Sequence, residues 1–231
     1  MASGSVEALR ASGTIDRAAV EKIVRQVALE YLGREKGRAA APVLTVQASA
    51  RHMHVCRADM DALFGPGTEL TVEKPLYQEG FYAAKEMVTL VGPRNRIISN
   101  LRILGPMRKE SQIELAFTDA IMLGFDDIPI RISGDIADTP GGVVIGPKGV
   151  VELKRGIIRA GIHVHMNPAE AAYYGVKQGD AMKLRIGGKA GLTFDNVIVR
   201  IDPGSRLNVH MDTDEANACG LHRAKEMEIF K

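Results

Sequence analysis

One short pattern occurs twice in this sequence, and the duplication restricts the possible folds more than any other feature. Residues 51–65 (RHMHVCRADMDALFG) and 162–175 (IHVHMNPAEAAYYG) each contain His-x-His, then an acidic and apolar segment with helical spacing, then Gly. A second matched pair follows in the same order, NLRILGP at 100–106 and NVIVRIDP at 196–203. Self-similarity of this kind is expected when a chain repeats one supersecondary unit. We therefore predict two similarly built halves.

The segments between these patterns favour short strands. After Pro42 the chain consists of brief apolar runs separated by Gly and Pro, and its 231 residues include 24 Gly. Such runs, rich in Val, Ile and Leu and bounded by turn residues, are typical of β-strands. We predict a mainly β protein with short helices. Its first domain spans 43–140 and its second spans 141–231, after an N-terminal helix and linker at 1–42.

The N-terminal region predicts an amphipathic helix at residues 17–32. Asp16 is a suitable N-cap, Gly33 ends the pattern, and residues 33–42 (GREKGRAAAP) are typical of a linker. Apolar residues recur at helical spacing, namely Val20, Ile23, Val24, Val27 and Tyr31. The apolar face requires a partner, and two alternatives are open: docking on its own domain or a second copy, or use as a targeting peptide for a larger assembly.

The two His-x-His pairs are suited to metal binding. Residues i and i+2 of a strand point to the same face, so each pair directs two imidazoles towards one point. A third potential ligand follows the matched prolines in each half. The candidate ligands are His52, His54 and Glu114 in the first half and His163, His165 and His210 in the second. Imidazole and carboxylate ligands suit zinc or another Lewis-acidic ion, and three ligands leave one position for water or substrate.

Candidate anion-binding residues lie beside these ligands. Arg108 and Gln112 precede Glu114, and Arg200 lies on the predicted strand that leads to His210. The planar guanidinium group matches the oxygen atoms of phosphate. A separate basic cluster before the second His pair is either a phosphate site for a nucleotide-like cofactor or an ordinary hydrated surface: Lys148, Lys154, Arg155 and Arg159.

Charge and hydropathy exclude several classes of protein. The 30 Lys and Arg residues nearly balance 28 Asp and Glu residues, so the net charge of +2 offers no field for nucleic acid. The sequence has neither an apolar run of membrane-spanning length nor a secretory signal. Two cysteines, Cys56 and Cys219, do not make a disulfide framework. These features predict a soluble cytoplasmic protein that acts on neither nucleic acid nor membranes.

Several longer motifs resemble the phosphate propanoyltransferase family, the PduL-type phosphotransacylases. The likeness covers about residues 43–222. The motifs are SARHMHV, ALFGPGTELTVEKPL, VTLVGP, RILGPMRKESQIELAFTDA, SGDIADTPG, AGIHVHMNPAEA and NVHMDTDEANA. The resemblance implies two related β-barrel domains with two zinc ions between them, held by the two sets of candidate ligands. It also implies that Arg108 and Arg200 bind phosphate, and that Ser49, Gln78, Gln112 and Asn217 line the site.

The same resemblance implies an activity and its partners. Such enzymes transfer a short acyl group, propanoyl or acetyl, reversibly between coenzyme A and inorganic phosphate. We expect direct attack of phosphate on the thioester, a homodimer, and a location inside a bacterial microcompartment reached by binding of the N-terminal helix to shell or lumen proteins. Two alternatives remain: a dinuclear zinc hydrolase that uses water in place of phosphate, and a metal-stabilised adaptor without catalytic activity.

Overall fold

A computed structural model describes residues 20–27 and 41–231 of the chain. Residues 20–27 are helical, as predicted, and their apolar side chains Val20, Ile23, Val24 and Val27 are exposed. The remainder of the predicted helix at 17–32 lies outside the described residues, so its amphipathic character stays a prediction. Residues 42–231 form one compact unit, to which the following description is confined.

Short strands dominate this unit. The strands are β1 (Thr45–Ser49), β2 (His52–His54), β3 (Val72–Pro75), β4 (Tyr82–Val91), β5 (Ile97–Gly105), β6 (Gln112–Glu114), β7 (Ile130–Arg131), β8 (Gly142–Ile145), β9 (Val150–Leu153), β10 (Ile157–Ala160), β11 (His163–Met166), β12 (Ala181–Ile186), β13 (Leu192–Ile201), β14 (Asn208–Asp212) and β15 (Met227–Phe230). The helices are α1 (Arg57–Phe64), α2 (Phe117–Leu123), α3 (Pro168–Tyr174) and α4 (Thr213–Ala218), with a 3₁₀ turn at Leu221–Arg223.

The strands form two sheets. The first sheet has the order β7-β10-β6-β2-β5-β4-β8-β9, with β3 paired to β4, and the second has the order β1-β14-β11-β13-β12-β15. Each sheet packs against its own cluster of buried aliphatic side chains, centred on residues such as Ile103 and Ile113 in the first and Val164 and Val199 in the second. The prediction of a mainly β protein with short helices is confirmed, and the two β-barrel domains expected from the resemblance take the form of two curled, half-barrel sheets.

The matched sequence patterns occupy matched positions in the two sheets. Strand β2 lies between β5, which is parallel to it, and β6, which is antiparallel. Strand β11 lies in the same way between parallel β13 and antiparallel β14. Asn100 in β5 and Asn196 in β13 both adopt left-handed backbone conformations, with φ of 57° and 59°. Asn tolerates this conformation better than most residues do, so the two long strands share a local distortion at the matched Asn.

The strand before each His-x-His strand joins the opposite sheet. Strand β1 pairs in parallel with β14, with Gln47 opposite His210, and β10 pairs in parallel with β6, with Ile158 opposite Glu114. Strands from both 43–140 and 141–231 enter both sheets. The division of the chain into domains at these bounds therefore stays a prediction. As a consequence, each strand that carries a third candidate ligand is flanked by one strand from its own half and one from the other.

Local sequence explains how the second-half helices begin. Asn167 before α3 and Asp212 before α4 each accept a backbone N–H at the third helical position, and Glu170 and Glu215 accept the N-cap N–H in return. The capping box of α4 fixes the chain two residues after His210. No helix among residues 20–27 and 41–231 is long and apolar enough to span a membrane.

Candidate metal and anion site

The first set of candidate ligands, His52, His54 and Glu114, forms a buried cluster that we call the first triad. The β2–β6 register places His52 opposite Glu114. The Nε2 atoms of His52 and His54 are 3.2 Å apart, and each lies near the carboxylate of Glu114, at 3.5 and 3.8 Å. The three residues are 6%, 4% and 9% exposed. The buried carboxylate of Glu114 and the imidazole nitrogens of His52 and His54 are close enough together to bind one cation jointly.

The second set, His163, His165 and His210, forms the second triad in the same way. Strands β11 and β14 place His163 opposite His210. The ring centroids are 4.9 to 5.3 Å apart. One potential ligand atom from each residue of a triad lies within 4.8 Å of those of the other two, and this holds for both triads. The expected convergence of all six residues into two clusters is therefore present.

Hydrogen bonds orient one imidazole of each triad for metal binding. Nδ1 of His52 lies 2.8 Å from the carbonyl oxygen of Ala50, and Nδ1 of His163 lies 2.8 Å from that of Gly161. When such a ring is neutral, donation from Nδ1 to a carbonyl leaves the lone pair on Nε2, where it can bind a metal ion. The buried Nε2 of His210 has no hydrogen-bond partner in the described part of the chain. These atoms fit bound metal ions.

The first triad contains a balanced pair of charges. Burial opposes both charges, but the attraction between His52 and Glu114 outweighs it, so that the pKa of His52 is raised and the pKa of Glu114 lies well below its usual range. Burial, followed by the positive charges of His52 and Arg108, lowers the pKa of His54 to about 3. The same attraction favours a protonated His52 beside an ionised Glu114.

The second triad is neutral at physiological pH. Burial, followed by the charges of His163 and His210, lowers the pKa of His165 to about 3. Burial and the charge of His163 lower the pKa of His210 to about 4, and burial lowers that of His163. Three neutral imidazoles are the ligand form, so no proton has to leave before a cation binds here.

Polar residues from β6 and from two loops surround the carboxylate of the first triad. Glu114 Oε1 accepts hydrogen bonds from Gln112 Nε2 at 2.7 Å and from the Ser133 hydroxyl at 2.6 Å. The same hydroxyl accepts from Arg108 Nη1 at 3.0 Å. Ser133 was not among the predicted site residues, although it opens the SGDIADTPG motif, because that motif does not indicate a contact with Glu114. It connects a predicted phosphate-binding residue to a predicted metal ligand.

The two triads open into one cavity of about 660 Å³. Of the other predicted site residues, Ser49, Gln78, Arg108 and Arg200 also line it. The amide nitrogen of Gln78 lies 3.1 Å from Nδ1 of His165, so a loop from the first sheet reaches the second triad. A volume of several hundred Å³ is typical of small-molecule sites. The structure therefore brings both candidate metal clusters and both arginines to one space.

Two predicted residues are placed differently. Gln112 is buried behind Glu114 and does not line the cavity, so its contact is with the carboxylate and the loop that contains Ser133. Asn217 lies on the exposed side of α4 and does not line the cavity either. The sequence analysis also missed Arg102 and Lys74, which do line it. Their spacing relative to the His pairs gave no indication of this.

Arg108 and Arg200 are partly desolvated. Burial lowers the pKa of both guanidinium groups, although both stay positively charged at physiological pH. Arg200 forms no ion pair or side-chain hydrogen bond with the residues at 20–27 and 41–231. The register of β11 and β13 places it opposite His165. Two guanidinium groups that face a partly enclosed cavity provide a site for an anion.

Comparisons with known proteins show which family the chain is similar to. The family model for phosphate propanoyltransferase matches residues 45–222. A phosphate propanoyltransferase of Planctopirus limnophila is 50% identical over 240 aligned positions that cover 100% of this chain and 96% of that protein. One of Thermotoga maritima is 49% identical over 182 positions, or 78% of this chain and 86% of that protein. One of Listeria monocytogenes is 46% identical over 80% of this chain and 86% of its own length.

Proposed function

The chain belongs to the phosphate propanoyltransferase family and is an acyltransferase that acts between coenzyme A and phosphate. We propose that it works by direct attack of phosphate on a short acyl thioester, at a site that binds two zinc ions. One observation carries this proposal: both triads and both arginines, Arg108 and Arg200, line the same cavity. Direct transfer requires the acyl donor and phosphate to meet in one space, and such proximity supplies much of the rate.

The metal part of the proposal rests on the donor sets. His52, His54 and Glu114 would hold one ion and His163, His165 and His210 the other. Imidazole and carboxylate ligands favour zinc, and three protein ligands leave a position open. When bound, the ions supply Lewis-acid polarisation of the thioester carbonyl and of phosphate.

The side chains provide the remaining functions. Arg108 and Arg200 hold phosphate by charge-assisted hydrogen bonds. Their positive charges also offset the negative charge of the Glu114 carboxylate, which would repel phosphate. Because Ser133 fixes Arg108 and Glu114 together, the phosphate position is tied to that of the first triad. Within residues 20–27 and 41–231 we find no Ser-His-Asp arrangement. We therefore assign the attack to phosphate and propose no acyl-enzyme.

Phosphate dependence is the test of this function. Propanoyl-CoA or acetyl-CoA is incubated with and without phosphate, and both free thiol and acyl phosphate are measured. The proposal predicts equal amounts of the two products and no thiol release without phosphate. Thiol release that is independent of phosphate would indicate a hydrolase. No release from the metal-loaded protein would indicate a structural or adaptor role.

The matched variants concern the arginines. Arg108→Met and Arg200→Met each remove a guanidinium group from the cavity, and each is expected to raise the KM for phosphate by at least tenfold. Arg185→Met is the control, because Arg185 pairs with Glu228 at the exposed edge of the second sheet. An unchanged phosphate KM in both cavity variants would contradict the proposed roles.

We also propose that the N-terminal helix recruits the enzyme to a bacterial microcompartment and that the enzyme is a homodimer. Support for recruitment comes from residues 20–27, which are helical and expose Val24 and Val27 at 60% each. A fusion of residues 1–42 to a fluorescent protein should enter microcompartments, whereas a fusion with Val24 and Val27 replaced by Asp should not. Sedimentation of the full chain should give twice the mass of 25.0 kDa.

A further inference from the structure

Arg159 contacts residues of both halves, in each case just after the strand that carries the third ligand, Glu114 or His210. It lies on β10, the strand of the second half that pairs with β6 of the first sheet. Its side chain is only 13% exposed. Sequence spacing placed it in a basic cluster with Lys148, Lys154 and Arg155, but its guanidinium group is already engaged by carboxylates. It is therefore not available to bind a free phosphate.

One side of the guanidinium group contacts the second-triad strand and the helix that follows it. Nε donates to Asp212 Oδ2 at 2.5 Å and Nη2 donates to Glu215 Oε1 at 2.5 Å. Asp212 follows His210 by two residues, ends β14 and caps α4. The two acids are also linked to each other by the capping box. Arg159 thus fixes the chain immediately after His210.

The other contact is to the helix that follows the first-triad strand. The Cζ atom of Arg159 lies 4.5 Å from the centroid of the Phe117 ring, a cation–π distance. Phe117 begins α2 and follows Glu114 by three residues. Nearby, the backbone N–H of Thr118 donates to Asp214 of α4 at 2.9 Å. The starts of α2 and α4 are therefore held together, and each start directly follows a third ligand.

From these contacts we infer that Arg159 is a positioning residue that sets the separation of the two triads. The ligands of each triad come from neighbouring strands of a single sheet, so each triad keeps its own shape without Arg159. The separation of the two triads depends on contacts between the halves. Arg159 makes such contacts with residues that follow Glu114 and with residues that follow His210. This inference rests on the proposed function in assuming that both triads bind metal ions.

The experiment uses the full chain loaded with Co(II), with Arg159→Lys as the variant. Lysine keeps the positive charge but cannot reproduce the forked contact with two carboxylates. We expect both Co(II) ions to bind with affinities within about threefold of the parent protein, because no ligand is lost. The spin–spin interaction between the two ions in the EPR spectrum should change, and kcat should fall by about 10- to 100-fold with little change in KM.

Two further variants make the test specific. Asp212→Asn removes one arm while leaving Glu215 paired, and should produce a smaller change of the same kind. Arg185→Lys alters an exposed pair on the second sheet, with Glu228, and should change neither the spectrum nor kcat.

An unchanged EPR interaction in Arg159→Lys would overturn the inference whatever the value of kcat, because that interaction reports the separation of the ions. It would also be overturned if one ion were lost selectively, if both variants unfolded, or if the parent chain failed to bind two ions. Because metal binding and EPR do not require turnover, absence of phosphate-dependent transfer in the parent would end the proposed function and still leave this inference to be decided by the spectra.

Discussion

The two triads have the same backbone arrangement but differ in one ligand. In both, the His-x-His strand lies between a parallel strand and an antiparallel strand that carries the third ligand. Glu114 occupies that position in the first triad, and His210 occupies it in the second. A carboxylate reduces the charge of a bound divalent ion, whereas three imidazoles leave it undiminished. The duplicated scaffold thus provides two candidate cation sites with different electrostatics.

The surroundings of the triads differ correspondingly. Glu114 is held by Gln112, Ser133 and the charge of His52, whereas the second triad receives the amide of Gln78 from the other sheet. The fold therefore repeats the frame that holds the candidate ligands, while single residues on that frame determine the local charge and hydrogen bonding.

Removal of one imidazole from either triad should have the largest effect. His52→Ala and His163→Ala should each reduce the bound metal from two ions to one per chain, and kcat/KM should fall by roughly 10³-fold, since Lewis-acid stabilisation is worth several kcal/mol. Metal analysis and initial rates measure this. A single-ion variant with nearly full activity would show that the two triads do not act as one site.

The charge difference is tested by Glu114→Gln. The amide is similar in size to the carboxylate but neutral, so the first triad should lose affinity for a divalent ion by at least about 100-fold. The second triad should keep its affinity. Stepwise titration with a chelating indicator separates the two binding events. Equal loss at both triads would mean that the ions are not held independently.

The supporting residues should have smaller and separate effects. Ser133→Ala removes a hydrogen bond to Glu114, and Gln78→Leu removes one to His165. Loss of such support commonly lowers metal affinity by about 10- to 100-fold. We expect Ser133→Ala to weaken only the first triad and Gln78→Leu only the second. The same titration checks this, and a crossed pattern would contradict the assignment.

The two triads should also differ in their pH dependence between pH 6.5 and 7.5. The pKa of His52 is raised above the ordinary 6.5, so a proton must leave before an ion binds, and first-triad affinity should rise with pH by up to about tenfold. The second-triad histidines have pKa values lowered from 6.5, so they are already neutral and affinity should stay level. Titrations at both pH values measure this.

Much of the candidate metal site could be predicted from the sequence because the placement of its candidate ligands follows local rules. The i, i+2 spacing on a strand determines that His52 and His54 share a face, and the repeat of this spacing identified the second pair. The third ligands followed from the matched prolines. Ser133 could not be predicted, because its contact with Glu114 depends on how a distant loop folds back.

Exchange of strands between the halves was beyond prediction for a similar reason. The local sequences of β1 and β10 do not determine which sheet each strand joins, because parallel pairing over long sequence separations depends on tertiary packing. Because of this exchange, Arg159 contacts Asp212 and Glu215. Its position in the sequence had instead grouped it with the basic residues Lys154 and Arg155. Spacing also gave no indication that Asn217 would be exposed.

The central claim is that the two triads form a single two-ion site for phosphate-dependent acyl transfer. The most direct test measures acyl phosphate formation from propanoyl-CoA in metal-free protein as zinc is added stepwise. If both ions are required, acyl phosphate formation should follow the fraction of chains that hold two ions and reach its maximum at two ions per chain. Full activity without metal, or saturation after the first ion, would contradict a two-ion site.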